Sequence, residues 1–378
     1  MAAQVAGAQP DAFPPLRARE LGLAPGIFSP GPRNAITDVV GVRVGHATVV
    51  AGDSLRTGVT VVVPHAGNLF RDRVPAALAV GNGFGKLLGA TQLAELGQLE
   101  TPIALTCTLC IWSVGEALAR ALLDLPGMQE VRSINPVVGE TNDGALNATR
   151  LRPGMGDALR TALARADSGA VAEGSVGAGT GTVMFGWKGG IGTASRRLPA
   201  SLGGWTVGVL VQGNYGGVLE MAGVPIGRAL GQYAFRAAVD PSGRAPDDDA
   251  NGDGSVMIVV ATDAPLLDRN LRRLASRSFL GLAHTGSSAS NGSGDYALAF
   301  STHPDVRSAA DRPRHSFVEL ANDELSPLFQ AVVEATEEAL YNALLMATPV
   351  STRVRRVDPL PRDSVRALLR ARGIGTPR

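Results

Sequence analysis

Four short polar segments of the sequence carry side chains that could together hydrolyse an amide. They are residues 139–144, 213–217, 253–255 and 291–295, and each combines reactive side chains with glycine at the edge of a predicted strand or helix. Taken singly, each segment would most often be a turn. Taken together, they offer a serine nucleophile, an amide donor for an oxyanion, an acidic residue to orient a hydroxyl and a carboxylate to bind a cationic group. These are the components of amide hydrolysis.

The junction between Gly254 and Ser255 is the most informative of these positions. Residues 241–254 are rich in Asp, Gly and Pro and have no apolar pattern, which predicts an exposed linker. Ser255 follows directly and begins a predicted strand. An exposed linker suits chain cleavage, because it can be cut without dismantling a core.

The remaining sequence predicts alternating strands and helices, and its 378 residues are compatible with one large layered domain. The predicted strands are residues 57–64, 205–212, 255–262 and 295–302. The predicted helices are residues 86–96, 114–125, 156–166, 265–282 and 325–346. Asp263, placed just before Pro265, is the predicted N-cap of the fourth helix. The glycine-rich residues 174–192 predict a loop or tight hairpin.

Composition narrows the class of partner. Hydrophobic residues make up 45% and charged residues 18%, which is a globular composition. With 35 basic and 34 acidic residues, no extended basic face for nucleic acid or anionic lipid is expected.

The longest apolar run, residues 103–114, is too short to span a membrane and predicts a buried segment. No secretory signal is recognised, so a cytoplasmic location is the default expectation.

Metal and cofactor sites find little support in the sequence. Cys107 and Cys110 lie in an apolar run without a second cysteine pair, which predicts buried free thiols. Residues 247–254 match the first half of a calcium-binding loop, but Ile258 stands where the pattern needs a glutamate. The five histidines have no metal-ligand spacing. We therefore expect neither a metal nor a cofactor.

Two glycine clusters invite a nucleotide-binding interpretation but depart from its motifs. Lys86, after the cluster at 81–85, is followed by Leu87 rather than Ser or Thr, and the cluster at 177–181 does not lead into a helix pattern. The chain has only two lysines, Lys86 and Lys188, and otherwise uses arginine. Lys188 is therefore either selected for its geometry or an ordinary surface lysine.

At its four polar segments the sequence resembles the self-processing aminopeptidases of the DmpA type, the L-aminopeptidase and D-esterase/amidase family that includes the β-aminopeptidases. The resemblance extends through residues 28–31, 34–38, 42–46, 135–138 and 188–196 to Gly294 and Asp295. It implies an α+β fold, an αββα four-layer sandwich like that of N-terminal-nucleophile hydrolases but with different connectivity. It also implies a single catalytic domain, 1–378, that cuts itself into chains 1–254 and 255–378.

The same resemblance implies the catalytic roles. Ser255 becomes the first residue of the second chain and the nucleophile after the Gly254–Ser255 bond breaks. Asn214 is implied as the oxyanion donor, and Ser293 with Asp295 as the pair that orients and activates the serine. The freed α-amine of Ser255 has an ordinary pKa of about 7.7 to 8, so it is an alternative general base.

The substrate side of the site is implied to contain Glu140, together with Asn142, as the anchor for a free amine. Two residues depart from the family pattern. Cys107 stands where asparagine is expected, and Asp295 stands where β-aminopeptidases have glutamate, so the choice between α- and β-amino substrates stays open.

The predicted function is therefore a self-processing serine aminopeptidase, amidase or esterase acting on short substrates with a free amine. The resemblance implies a homo-oligomer, a tetramer of processed units. One alternative is a self-cleaving acyltransferase of the ornithine acetyltransferase kind, although those enzymes begin their second chain with threonine. Another is an unprocessed homologue that serves as a binding or structural protein.

Overall fold

Two β-sheets form the middle of the molecule, as seen in a computed structural model that describes residues 14–151, 154–240 and 254–375. In chain order the strands are β1 (Arg43–Ala51), β2 (Leu55–Val63), β3 (Asp72–Gly83), β4 (Leu87–Leu88), β5 (Gln98–Leu99), β6 (Ile103–Cys107), β7 (Val137–Thr141), β8 (Val183–Met184), β9 (Trp187–Lys188), β10 (Gly190–Arg197), β11 (Thr206–Asn214), β12 (Ser255–Thr262), β13 (Gly294–Ser301), β14 (Ser308–Ala309), β15 (Val350–Ser351) and β16 (Arg356–Val357). The helices are α1 (Ala90–Leu96), α2 (Ile111–Leu123), α3 (Gly156–Ala164), α4 (Ile226–Ala229), α5 (Arg236–Val239), α6 (Asp268–His284), α7 (Ser326–Leu345) and α8 (Arg362–Arg370).

The sheets and the longer helices form four layers. The small sheet has the strand order β1-β2-β6-β7-β4, and the large sheet has the order β10-β11-β12-β13-β3-β14, with β5 also paired to β3. Helices α2 and α3 pack against the small sheet, and α6 and α7 pack against the large one. Apolar side chains of both sheets meet between them, including Leu105 of β6 with Met257 and Val259 of β12. The predicted αββα sandwich is confirmed.

Strand β12 shows why the sequence produces this layering. All eight of its residues are buried, and side chains alternate between the two faces of a strand. Val256, Ile258 and Val260 belong to the core shared with α6 and α7, whereas Met257 and Val259 belong to the core between the sheets. By the same alternation, Ser255 lies on the face that looks toward the small sheet.

Three predicted helix starts are wrong: the helix predicted at 114–125 begins at Ile111, and two others differ as follows. The helix predicted at 86–96 begins at Ala90, because Leu87 and Leu88 pair with β7 and Gly89 adopts a φ of +82°. The helix predicted at 265–282 begins at Asp268. Asp263 is not its N-cap, since Asp263 Oδ1 accepts a hydrogen bond of 2.7 Å from the Thr206 backbone N–H and so ties β11 to the end of β12.

The glycine-rich residues 174–192 form the predicted hairpin only in part. β8 and β9 make a two-stranded hairpin, but β10 then begins at Gly190 and runs at the edge of the large sheet. Glycine is required at Gly192, where a Cβ atom would lie 1.9 Å from the Ala339 carbonyl oxygen of α7. The helix can therefore lie directly on the strand.

The prediction of free thiols is also wrong. Cys107 and Cys110 form a disulfide that joins the end of β6 to the start of α2. The cysteines stand close enough to pair because the chain turns tightly between strand and helix, with the Cys110 backbone N–H donating to the Cys107 carbonyl at 3.0 Å.

Within the described ranges no helix is both long and apolar enough to cross a bilayer. Of the exposed linker predicted at 241–254, residues 241–253 lie outside the described residues.

Candidate active site

One cavity of about 570 Å³ lies where the two sheets meet, at the start of β12. Five of the residues predicted from the sequence line it: Glu140, Asn142, Asn214, Gly254 and Ser255. Its other lining residues are Phe84, Lys86, Thr108, Gly144, Ala145, Val183, Asn291 and Gly292. The fold therefore brings distant parts of the chain to one place.

The position of Ser255 is set by its two neighbouring strands. It lies opposite Asn214 in the antiparallel ladder with β11 and opposite Gly294 in the parallel ladder with β13. Its Oγ donates to the Gly254 carbonyl oxygen at 2.7 Å, and the Gly294 backbone N–H donates to the same oxygen at 3.0 Å. Of these two donors, the Gly294 N–H is the one that can stabilise negative charge on the oxygen while Ser255 Oγ attacks the carbonyl carbon.

Position 254 must be glycine because the backbone there lies directly against residues 214 and 215 of the chain. A Cβ atom at position 254 would lie 2.2 Å from the Asn214 carbonyl oxygen and 2.6 Å from the Tyr215 Cα atom. Any other residue would push the Gly254–Ser255 bond away from β11. The bond is consequently held against the sheet.

Ser293 and Asp295 form a buried pair on the strand next to the start of β12. Ser293 Oγ donates to Asp295 Oδ1 at 2.6 Å, and Gly294, between them, is the residue paired with Ser255. Burial raises the pKa of Asp295 to about 6, opposed by the hydrogen bond from Ser293. The carboxylate therefore changes its protonation state just below neutral pH.

The Asn214 side chain is held at both ends. Its Oδ1 accepts from the Val183 backbone N–H at 2.9 Å, and its Nδ2 donates to the Asn142 carbonyl oxygen at 2.9 Å. An amide nitrogen carries two N–H groups, so Nδ2 has a second hydrogen to offer beside the cavity that Asn214 lines. This orientation suits an oxyanion donor.

Lys188 supports the loop that orients Asn214. Its fully buried ammonium donates to the carbonyl oxygens of Gly179, Thr182 and Gly189 at 2.8 to 2.9 Å. Burial lowers the pKa of Lys188 to about 7, while three carbonyl acceptors match the three N–H donors of an ammonium. Of the two interpretations of Lys188, the selected geometry is the one that the structure supports, since a planar guanidinium could not reproduce these bonds.

Glu140 forms the other side of the cavity. Its Oε1 accepts from the Lys86 backbone N–H at 3.0 Å and from Lys86 Nζ at 3.2 Å, and the same Nζ donates to Thr108 Oγ1 at 2.7 Å. Its Oε2 is buried and has no hydrogen-bond partner among the described residues. A carboxylate oxygen in this state is suited to a cationic ligand.

A model of peptidase family S58 matches residues 34–357. The chain belongs to this family. It is 40% identical to the β-peptidyl aminopeptidase BapA of Sphingosinicella microcystinivorans, in an alignment that covers 94% of this chain and 92% of the relative. The resemblance found in the sequence is confirmed.

Solved structures agree with this assignment. A β-aminopeptidase from a Burkholderia species is 41% identical with a TM-score of 0.85, covering 96% of this S58 chain and 100% of the other. The L-aminopeptidase D-Ala-esterase/amidase of Ochrobactrum anthropi is 33% identical with a TM-score of 0.85, at 95% and 99% coverage. That enzyme is described as a prototype of the serine aminopeptidases and a variant of the N-terminal-nucleophile hydrolase fold. The predicted enzyme class, a serine aminopeptidase, is confirmed, and the acyltransferase alternative has no support among these relatives.

Sequence reasoning missed one prominent residue of this S58 site, Lys86. It was considered only as the end of a nucleotide-binding motif, although the chain contains just two lysines. Lys86 stands next to Leu87, which pairs with Gly139, so the strand register brings it opposite Glu140. The rarity of lysine was the signal that could have identified it.

Proposed function

We propose that this S58 peptidase activates itself by cutting the Gly254–Ser255 bond and then uses Ser255 to release N-terminal residues from short peptides, amides or esters. The observation that carries the proposal is the position of Ser255 Oγ, 2.7 Å from the Gly254 carbonyl oxygen at the first residue of a buried central strand. Cleavage would divide the single domain into chains 1–254 and 255–378, which the shared sheet would hold together.

In the maturation step, Ser255 Oγ attacks the Gly254 carbonyl carbon while its proton passes to the departing Ser255 nitrogen. The C–N bond breaks and an ester between Gly254 and Ser255 Oγ remains, which water hydrolyses. The N–H of Gly294 stabilises the negative oxygen during this attack, because it already donates to that oxygen at 3.0 Å. Both the serine hydroxyl and a free α-amine are thereby released.

In substrate turnover, Ser255 Oγ attacks the scissile carbonyl, and the Asn214 amide stabilises the oxyanion. The leaving amine takes a proton, and water then hydrolyses the acyl-enzyme. Two groups can accept the serine proton: the freed Ser255 α-amine, with an ordinary pKa of about 7.7 to 8, or Ser293 supported by Asp295. The 2.6 Å bond between Ser293 and Asp295 supports the second route.

Glu140 is proposed to bind the ammonium group of the substrate through its unpartnered Oε2, with Asn142 at the same wall of the cavity. This contact would restrict the enzyme to substrates with an unblocked amine. The names of the relatives include β-peptidyl aminopeptidase and L-aminopeptidase D-Ala-esterase/amidase. Amides and esters of both α- and β-amino acids are therefore reasonable first substrates.

The decisive test is the intact mass of the purified protein and of its Ser255→Ala variant. We expect two fragments split at Ser255 in the parent chain, and one chain with aminopeptidase activity lowered by about four to six orders of magnitude in the variant. Ser276→Ala, on the exposed face of α6, is the matched control and should be cleaved and active. An uncut parent chain, or a cut and active Ser255→Ala variant, would refute the proposal.

We further propose that the processed enzyme is a cytoplasmic homo-oligomer, a tetramer of αβ units. The support is the family resemblance alone. Light scattering after size-exclusion chromatography gives the mass of the assembly, and cell fractionation gives its location. A monomeric αβ unit in solution, or recovery with secreted proteins, would contradict the respective part of this proposal.

A further inference from the structure

The cavity contains one pair of opposite charges. Among the side chains of the described residues that line it, Lys86 is the only cation and Glu140 the only anion. The proposed cleavage adds two chain termini, the Ser255 α-amine and the Gly254 carboxylate. The Lys86 ammonium lies 3.2 Å from Glu140 Oε1 and 2.7 Å from Thr108 Oγ1. Self-cleavage and amide hydrolysis as proposed above make no use of Lys86.

Each member of this pair has hydrogen-bonding capacity left. An ammonium has three N–H donors, and the described contacts of Lys86 Nζ use two of them. The Lys86 side chain is 37% exposed, whereas Glu140 is 2% exposed and its Oε2 has no partner among the described residues. A buried carboxylate oxygen without a partner and a partly exposed ammonium with one N–H to spare therefore lie side by side at the cavity wall.

A substrate that carried only an ammonium would be poorly matched to this wall. Two positive charges would then share a single carboxylate, and like charges at such short range repel. A substrate carbon that bears both an ammonium and a carboxylate would match both groups: its ammonium on Glu140 Oε2 and its carboxylate on Lys86 Nζ. The charges would then alternate around the four groups.

This complementarity limits where the scissile carbonyl can be. In an ordinary α-peptide the carboxyl carbon next to the amine is itself the scissile carbonyl, so no free carboxylate remains there. In a β-aspartyl group the amine-bearing carbon keeps its carboxylate, and the scissile carbonyl is one carbon further along. A β-amino acyl group has this spacing, and the BapA relative is named a β-peptidyl aminopeptidase.

We propose that Lys86 is a specificity-determining residue that makes this enzyme select β-aspartyl amides and peptides, in which the amine-bearing carbon also carries a free carboxylate. The inference rests on the proposed function, since it assumes that Glu140 binds the substrate amine. It is supported by the closeness of Lys86 and Glu140 to Ser255. A Cβ atom placed on Gly85, the neighbour of Lys86, would lie 3.4 Å from Glu140 Oε1 and 3.2 Å from the Cα atom of Gly294. Gly294 is the residue that pairs with Ser255.

The test compares two p-nitroanilides that differ by one group. β-Aspartyl p-nitroanilide carries a carboxylate where β-homoalanine p-nitroanilide carries a methyl group. We expect the cleaved enzyme to prefer the carboxylate compound by about tenfold or more in kcat/KM, since a hydrogen bond to a charged group has about this worth. Lys86→Met keeps the chain length and the backbone N–H that binds Glu140. It should lower kcat/KM for the carboxylate compound and raise it for the methyl compound, whose ammonium no longer shares Glu140 with Lys86, so that the preference is lost.

Lys86→Arg is the matched control, because it keeps the charge and should keep part of the preference. Mass analysis and thermal unfolding of each variant establish that it is cleaved and folded. Equal loss or equal gain of both activities in Lys86→Met would overturn the inference. Turnover of the methyl compound without preference for the carboxylate compound would overturn it and leave the aminopeptidase proposal standing. Turnover of neither compound, with alanine p-nitroanilide cleaved, would likewise overturn only this inference, whereas failure on all three would contradict both.

Discussion

The two sheets contribute to the cavity in different ways. The large sheet supplies Asn214 and Ser255 from β11 and β12, and the Ser293–Asp295 pair lies outside the cavity lining at the start of β13. The junctions β11–β12 and β12–β13 are each in continuous register over eight residue pairs. The small sheet supplies Glu140 and Lys86, which are held together by side-chain bonds beside the two-residue strand β4.

Under the proposed function, this difference separates reaction from recognition. Attack on a carbonyl requires atoms fixed to within a fraction of an ångström, and a buried ladder provides that precision. Recognition of a charged substrate group depends on the side chains of Lys86 and Glu140, and substituting them would leave the strand ladder of the large sheet intact. Variants on the large sheet should therefore change kcat and self-cleavage, whereas variants on the small sheet should change KM and substrate choice.

The largest effect on turnover among the supporting residues is expected from Asn214→Ala. Loss of the oxyanion donor should lower kcat by about 10²- to 10³-fold with little change in KM, by analogy with other single-donor deletions. Steady-state kinetics per cleaved molecule, with the cleaved fraction taken from intact mass, measures it. Asn322→Ala, on the exposed turn before α7, is the control; a variant that raised KM alone would assign Asn214 to recognition instead.

Glu140→Gln is the corresponding change on the small sheet. It removes the charge but keeps the shape, and we expect KM for free-amine substrates to rise by about 10- to 150-fold, the range for a hydrogen bond to a charged group. N-acetylated substrates, which lack the ammonium, should be poor for the parent enzyme and no worse for the variant. A fall in kcat at unchanged KM would contradict the division between the sheets.

The large sheet was the more predictable of the two regions. The run from Val256 to Val260 lies between an acidic linker and Asp263, so its β-branched composition and its boundaries both predict strand β12. The local signals and the tertiary structure agree there. The roles of Asn214, Ser293 and Asp295, by contrast, came from the family resemblance, since each stands in a segment that would ordinarily be a turn.

The small sheet was less predictable because tertiary pairing decides its structure. The apolar spacing after Lys86 is typical of a helix, but Leu87 and Leu88 pair with β7 instead. The spacing of Cys107 and Cys110 fits free thiols, a metal site or a disulfide, and only their placement at the turn between β6 and α2 distinguishes these. An ion pair such as Lys86 with Glu140 depends on that pairing and leaves no local pattern.

The Ser293–Asp295 pair on the large sheet should make both activity and stability depend on pH. Because burial raises the pKa of Asp295 to about 6, kcat/KM should fall about tenfold per pH unit below 6 if the carboxylate is needed. Stability has the opposite sign: a folded-state pKa above the ordinary 3.8 means that this group stabilises the fold below pH 4 and loses that contribution as the pH rises through 6. Activity should therefore fall while thermal unfolding shows no loss attributable to this group.

Asp295→Asn is the companion variant, since it cannot titrate. Its residual activity should lack the acidic limb near pH 6. Persistence of the limb near pH 6 in the variant would assign it to a group other than Asp295. A limb near pH 8 would instead point to the Ser255 α-amine.

Asn142 joins the two regions and should give the smallest effect. It follows β7, its side-chain Oδ1 accepts from the Gly144 backbone N–H at 3.1 Å, and its backbone carbonyl accepts from Asn214 Nδ2 at 2.9 Å. Asn142→Ala removes the first bond and any side-chain contact with substrate but keeps the second. We expect KM to rise by about two- to tenfold at nearly constant kcat, the worth of one neutral hydrogen bond. A drop in kcat approaching that of Asn214→Ala would mean that the side chain, and not only the backbone carbonyl, positions the oxyanion donor, and that reaction and recognition are coupled at this point.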